Sequence, residues 1–391
     1  TRGFAVRLPN PRFQCGSLRR VLAGTQRSKG VAAILLLVVC LTGSGAESLT
    51  NDPPLALWDV SSRVQIGGGH RGNVFLSHVA PEDAPFLSIG GDTSLIRISD
   101  TGSELTMFLV AEDVQYLDAV SVDGERFVSA SAQFLHPLSP RDKVGAELGY
   151  LYQHQVLDVS ETEEALRRVL VEGHGISFRP TWRHGFSPAW SAQLDAGAHR
   201  QFYMGALDDY WEASTRFSLA YSYRRNSEVA VGAQSVHWIY DSRVEADPNG
   251  RPVLDTRLFY WRPEIFSEWR HYFDREKHWR ATTRVAWLRN ADSGSGYYDY
   301  DRFTLTEKVR WKHSPWEISA GARFGWYYYL EQQYAGESRE RSYINLDLRI
   351  ERQLDKHLFA FLIGQREWNY GTDPLDDYRD WLVSGGLGVD F

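Results

Sequence analysis

Methionine and cysteine are nearly missing: the 391 residues hold two of each. Both cysteines, Cys15 and Cys40, stand in the first 46 residues, so the remainder has no thiol for a disulfide, a nucleophile or a metal. Beyond Ala46 no apolar run approaches the ~18 residues that a membrane-spanning helix needs. Mean hydropathy is -0.40, which also excludes a stack of such helices. Acid is missing from the first 46 residues, which carry Arg2, Arg7, Arg12, Arg19, Arg20, Arg27 and Lys29. Setting aside those seven positive charges takes the formal charge from -7 to -14. A chain that acidic has no general affinity for nucleic acid, which is bound by neutralising phosphates. There is no phosphate loop or dinucleotide fingerprint. His70, His237 and His271 are scattered, without metal-ligand spacing. These absences predict neither cofactor nor metal.

The basic head precedes an apolar run, Val31 to Leu41, and then the small residues Ser44-Gly45-Ala46. That order is the layout of a secretory signal, with cleavage expected after Ala46. The run is about eleven residues, too short to cross ~30 Å of hydrocarbon. Cys40 is preceded by Val39, not by the small residue a lipoprotein signal needs. Residues 1–46 are therefore assigned to the signal and its N-terminal extension, in which Thr1 to Leu18 carries no fold information. Residues 47–57 form a short periplasmic lead-in, and 58–391 the folded domain.

What is abundant is aromatic residues, at 14%, set in runs that alternate with period two. In Trp316 to Leu330 the even positions are Trp316, Ile318, Ala320, Ala322, Phe324, Trp326, Tyr328 and Leu330. The odd positions are Glu317, Ser319, Gly321, Arg323, Gly325, Tyr327 and Tyr329. Side chains alternate across a strand, so this segment has one oily and one wet face. Ile344, Leu346, Leu348 and Ile350 alternate with Asn345, Asp347, Arg349 and Glu351 in the same way. So do Trp279, Ala281, Val285 and Trp287 with Arg280, Thr282 and Arg284. Many runs last ten to fifteen residues, against about five or six in globular sheets. A membrane strand tilted by ~40° needs about nine to eleven. Trp316 and Trp326 lie ten residues apart on one face, which after tilt is roughly 25 Å, the height of an outer-membrane apolar band. Trp279 and Trp287 bracket their strand likewise, and these four tryptophans are the expected interface anchors.

Connections alternate short and long. The short ones include Ser139-Pro140-Arg141-Asp142, Ser187-Pro188, Ser314-Pro315 and Asp355-Lys356. Long ones fall near 113–126, 157–167, 203–210, 241–256, 290–300, 331–342 and 371–379. Strands are expected near 59–78, 85–100, 104–112, 126–137, 143–156, 168–185, 189–202, 211–225, 228–240, 256–273, 278–289, 301–313, 316–330, 342–353, 357–370 and 380–391. The fold class is all-β: a closed antiparallel transmembrane β-barrel of about sixteen strands, within a range of fourteen to eighteen. Its short turns are periplasmic and its long loops extracellular.

The last strand ends in Phe391, with apolar Val389, Leu387, Val383 and Trp381 on the same alternation. This resembles the terminal signature of outer-membrane proteins folded by the barrel assembly machinery, and implies that machinery as a partner in biogenesis. Gly67-Gly68-Gly69-His70-Arg71-Gly72-Asn73-Val74-Phe75-Leu76-Ser77 resembles the first strand of outer-membrane barrels encoded near exopolysaccharide genes. The expected setting is the bacterial outer membrane, with its lipid and lipopolysaccharide as surroundings.

A sixteen-strand barrel is wide enough for an aqueous lumen unless something fills it. Its wet face would be lined by Arg262, Arg270, Arg280, Arg284, Lys308, Arg310, Arg323 and Arg349, with Glu264, Glu268, Asp347 and Glu351 among them. A basic wall favours anions. The expected function is a passive channel or export pore for small anionic solutes or an anionic polysaccharide. Two alternatives stay open: a salt-bridged, non-conducting structural wall, and an adhesive barrel using loops such as Tyr297-Tyr298-Asp299-Tyr300-Asp301. An enzyme is not expected. Asp195 and His199 share a wet face and could orient a base, yet a wall hydrogen bond explains them as well.

Overall fold

The computed structural model describes residues 58–160, 168–205, 207–224 and 226–391. The expected signal segment and lead-in lie outside them. Eighteen strands form: β1 (Asp59–Arg71), β2 (Ala84–Ile98), β3 (Glu104–Tyr116), β4 (Gly124–Pro137), β5 (Asp142–Asp158), β6 (Arg168–Gly185), β7 (Trp190–Tyr203), β8 (Tyr210–Ser222), β9 (Glu228–Tyr240), β10 (Glu245–Ala246), β11 (Pro252–Val253), β12 (Phe259–Tyr272), β13 (Trp279–Asp292), β14 (Tyr300–His313), β15 (Trp316–Tyr334), β16 (Glu337–Gln353), β17 (Leu358–Gly371) and β18 (Tyr378–Asp390). Strands β10 and β11 make a small hairpin inside one loop; the other sixteen close into one antiparallel barrel.

Closure is made by β1 against β18, in register from Arg63↔Asp390 to Arg71↔Leu382. Phe391 completes the seam: its N–H donates to Ser62 O at 2.8 Å, and its O accepts from Ser62 N at 3.3 Å. A closed sheet leaves no row of unpaired backbone groups, which hydrocarbon would not tolerate. The inner side of the seam is built from glycine for a steric reason. A Cβ at Gly386 would sit 2.0 Å from Ile66 O, and one at Gly388 would sit 2.1 Å from the Phe359 ring. The glycine-rich run of β1 and its counterpart in β18 thus let Phe359 and Phe361 lie flat across the closing strands.

The alternation resolves into two faces. Leu148, Ile176, Ile265, Leu346, Val383 and Leu387 point outward and are exposed, as are Trp279, Trp287, Trp316 and Trp326. So continuous an apolar exterior belongs in lipid. No helix among the described residues is long and apolar enough to cross a membrane; the crossing is made by strands. Aromatic side chains sit at both rims of the band: Trp190, Trp279 and Trp316 toward the short turns, Trp211, Trp261, Trp326 and Trp381 toward the long loops.

Three boundaries differ from the sequence reading. The first strand stops at Arg71 rather than 78, because residues 73–76 turn into the barrel, where Val74 is fully buried. The loop expected at 331–342 is mostly strand: β15 and β16 run on to a two-residue turn at Ala335-Gly336. Both turn residues have positive φ (53° and 87°), the geometry whose twist matches a hairpin. A register irregularity between Tyr328 and Gln333 absorbs the mismatch. The connection at 241–258 carries its own hairpin, β10–β11.

Candidate functional site: the barrel interior

The inner wall of β12–β16 carries the predicted basic set. Arg284 pairs with Glu264. Arg270 pairs with Glu268 at 3.3 Å, and Arg310 with Glu317 at 2.6 Å. Arg349 pairs with Glu351 and donates to Gln65 Oε1 at 2.9 Å. Glu351 also takes Arg63 at 3.0 Å, tying this wall to the seam. Arg323 lies over the Tyr343 ring at 5.5 Å. Lys308 occupies the row of Thr282 and Gly321. Arg280 stands directly opposite Arg310 across the β13–β14 ladder, and no carboxylate pairs with Arg280 among the described residues. Glu317 serves both Arg310 and Lys312, so with Arg280 the short-turn end of this wall keeps an excess of positive charge.

Arg262 is placed differently from the others. It is buried, donates to Tyr300 Oη at 2.9 Å and lies 4.3 Å from the Trp238 ring. It belongs to an aromatic layer that narrows the loop end. Tyr300, Tyr327, Tyr329 and Tyr343 form one cluster there, and Tyr240, Leu258 and Tyr260 another.

On the seam side the loop end is filled by the inward-turned segment after β1. Val74 and Leu76 pack with Phe86, Val114, Tyr116, Tyr378 and Leu382. Asn73 anchors the segment through Asp380 Oδ1 at 3.0 Å and Arg379 O at 3.0 Å. Arg71, 3% exposed at its side chain, pairs with Asp380 at 2.7 Å and lies 3.8 Å from Glu125. Outside the spanning strands, Glu82 clamps the base of this loop by accepting from Val120 and Ser121. Partial burial pushes its carboxyl up, but those hydrogen bonds outweigh it and hold it below the usual range.

The lumen is bridged at the same end. Strand β15 lies eight strands from β5 in either direction, so the two are diametrically opposite. Ser160 O, just beyond β5, accepts from Tyr329 Oη of β15 and from Arg339 Nη2 of β16, each at 3.4 Å. Arg341 of β16 pairs with Asp158 at 2.5 Å and donates to Ser160 Oγ and to Asn369. Arg339 pairs with Asp376, which is fully buried, at 2.7 Å. The two sides of the bridge, Asp158 and Ser160 on one and Tyr329, Arg339 and Arg341 on the other, lie at least 169 residues apart in sequence, which is why no pattern in the chain announces it. A buried network of this kind is rigid when all its members are satisfied.

Asp195 and His199 do not form a dyad. Asp195 accepts from Thr181 Oγ1 at 2.6 Å and Gln193 Nε2 at 2.8 Å, while His199 faces Gln201 at 3.3 Å. Four residues along a strand separate them by roughly 13 Å, too far for contact. His70 stacks on Trp381 and His237 on Trp261, both on the outer face. His271 meets Tyr223 at 2.8 Å.

One residue of consequence escaped the sequence reading. Glu307 falls in the outward set of β14, with Phe303, Leu305, Val309 and Trp311. It pairs with Ala322, between Trp316 and Trp326 on β15, and so stands at mid-band facing lipid. Its carboxylate accepts from Thr283 Oγ1. A charge among the apolar alternate positions of β14 was the available signal.

No protein-family model matches the chain, and no curated protein matches it. Solved structures similar in shape include Acinetobacter baumannii OccAB1, at 8% identity and TM-score 0.48, covering 85% of this chain and 97% of that one. The outer membrane protein OprD from Pseudomonas aeruginosa gives 8% and 0.43, covering 85% and 94%. A bacterial polysaccharide outer membrane secretin gives 10% and 0.41, covering 84% and 97%. Identities and scores this low say nothing of cargo. Closed pairing, an apolar exterior and a polar interior make the chain a β-barrel of the bacterial outer membrane.

Proposed function

We propose that this barrel is a passive outer-membrane channel whose basic inner wall favours small anionic solutes. The observation that supports the reading is Arg280, an inward guanidinium with no acidic partner among the described residues, beside Arg310, which Glu317 pairs. A wall built only for stiffness gains nothing from an unpaired inward guanidinium, whereas a passing anion is attracted to it. The bridged loop end argues for a small solute and against a polysaccharide chain, which would have to displace the contacts of Ser160 and Asp158. The test is conductance in a planar bilayer under a salt gradient. Stable ionic steps are expected, with a reversal potential that shifts toward cation preference in Arg280→Glu/Arg323→Glu. Insertions that never conduct would refute the channel.

The second reading, a non-conducting structural barrel, is favoured by the same bridge and by the ion pairs that neutralise Arg270, Arg284, Arg310 and Arg349. Silent insertion of a fully folded barrel is its signature.

A further inference from the structure

The outward face of β17 and β18 differs from the rest of the upper rim. Arg366 pairs in register with Trp381, and Trp368 with Arg379. The four side chains form a two-by-two checkerboard, with guanidiniums on one diagonal and indoles on the other. Arg366 lies over Trp368 at 5.1 Å, and Arg379 is exposed. Other outward guanidiniums near the long loops are neutralised. Arg126 pairs with Asp113, Arg200 with Asp209 and Asp241, and Arg289 with Asp299 and Asp301. Among the described residues, neither Arg366 nor Arg379 has a carboxylate partner. Diagonal positions on a sheet are about 7–8 Å apart, a span that two arginines can close on one phosphate.

Beside the checkerboard an apolar groove of about 600 Å³ crosses the outer wall from β18 to β14, in the row of Arg366 and the row next to it toward the short turns. Val309, Ala320, Ala322, Leu348, Gly364 and Val383 line it, with Arg366 toward its β18 side and Glu307, in the same cross-strand row, at its β14 end. Gly364 forms part of the floor, and a Cβ there would meet nothing within 4 Å. Tryptophans at this height mark the headgroup level of the leaflet on the long-loop side.

We propose that β17 and β18 hold a lipopolysaccharide molecule of the outer leaflet, with a lipid A phosphate on Arg366 and Arg379 and one acyl chain in the groove. Charge selects the occupant: two unneutralised guanidiniums at headgroup height attract an anion, and the apolar groove adjoining Arg366 suits a hydrocarbon chain on the same molecule. The assignment is independent of whether the lumen conducts.

The experiment uses the full barrel refolded in detergent, with native mass spectrometry and titration by bisphosphorylated lipid A, phosphate-free lipid A and phosphatidylglycerol. Heat-modifiable gel mobility verifies folding of each variant. Bisphosphorylated lipid A is expected to bind more tightly than either comparator. Arg366→Ala/Arg379→Ala should weaken it at least about tenfold, and Arg366→Lys/Arg379→Lys should restore much of the loss. Gly364→Leu, whose Cβ would meet nothing within 4 Å and whose side chain would occupy the groove, should weaken it with both arginines intact. Folded Arg366→Ala/Arg379→Ala that binds lipid A as the parent does would overturn the proposal. So would equal binding of phosphatidylglycerol, which would leave a general anionic-lipid site. A change in barrel stoichiometry on Gly364→Leu, without a change in lipid A binding, would give the groove to a second copy and also overturn it.

Discussion

Arg341→Ala should open the loop end without unfolding the barrel. Arg341 is 5% exposed and its partner Asp158 11%, so the pair is shielded from water. Removing one member of a buried pair typically costs about 3–5 kcal/mol. Arg341 also donates to Asn369 at 2.7 Å and to Ser160 Oγ, which places the loss toward the upper part of that range. The contacts of Ser160 with Tyr329 and Arg339 remain, and they pull it back toward the lower part. A figure of about 3 kcal/mol shifts the bridged-to-unbridged equilibrium by roughly a hundredfold. The strand ladders of β5 and β16 do not depend on this side chain, so the cost falls on the bridge. The assay is single-channel conductance together with heat-modifiable mobility. Larger steps and more frequent openings are expected for Arg341→Ala and Asp158→Ala, with unchanged mobility. The double variant should resemble the singles rather than add to them, because each already destroys the same interaction. If both single variants fold and conduct in the parent's steps, the segment after β5 does not control the lumen.

Two further outcomes follow from the wall itself. Gly386→Val puts a branched side chain where even a Cβ meets Ile66 O at 2.0 Å. It should stop β1 from pairing with β18, seen as loss of the heat-modifiable folded band, whereas Gly364→Val should fold. Glu307→Leu should raise the unfolding free energy by up to about 2 kcal/mol in urea titrations from vesicles, because a carboxylate at mid-band is replaced by hydrocarbon. A loss of stability instead would mean that the Thr283–Glu307 contact serves the fold.

The barrel was legible because lipid and lumen impose a period of two on every strand, and Trp316 to Leu330 shows it without interruption. Strand ends were less legible, since alternation continues or stops for reasons outside the pattern. Ala335-Gly336 carries a hairpin past the membrane band, and Gly72 onward folds inward although its composition suits a strand. The basic wall could be read from parity, but which cations are neutralised could not, because partners such as Arg63 and Glu351 meet only after closure. The bridge was invisible for the same reason: Asp158 finds Arg341 across the barrel. Asp195 and His199 show the limit of parity: it places both on the wet face, but not within reach of each other, and Asp195 is held by Thr181 and Gln193 instead.

The central claim is that the first and last strands pair in one register to enclose the interior. The segment from 47 onward has no native cysteine, so an engineered pair reports that register cleanly. Ile66→Cys/Leu387→Cys, directly opposed on the outer face, should form a disulfide nearly to completion in the folded barrel, and Ile66→Cys/Val383→Cys should not. Absence of the first cross-link in protein that is folded, or equal formation of both, would contradict a closed sixteen-strand wall.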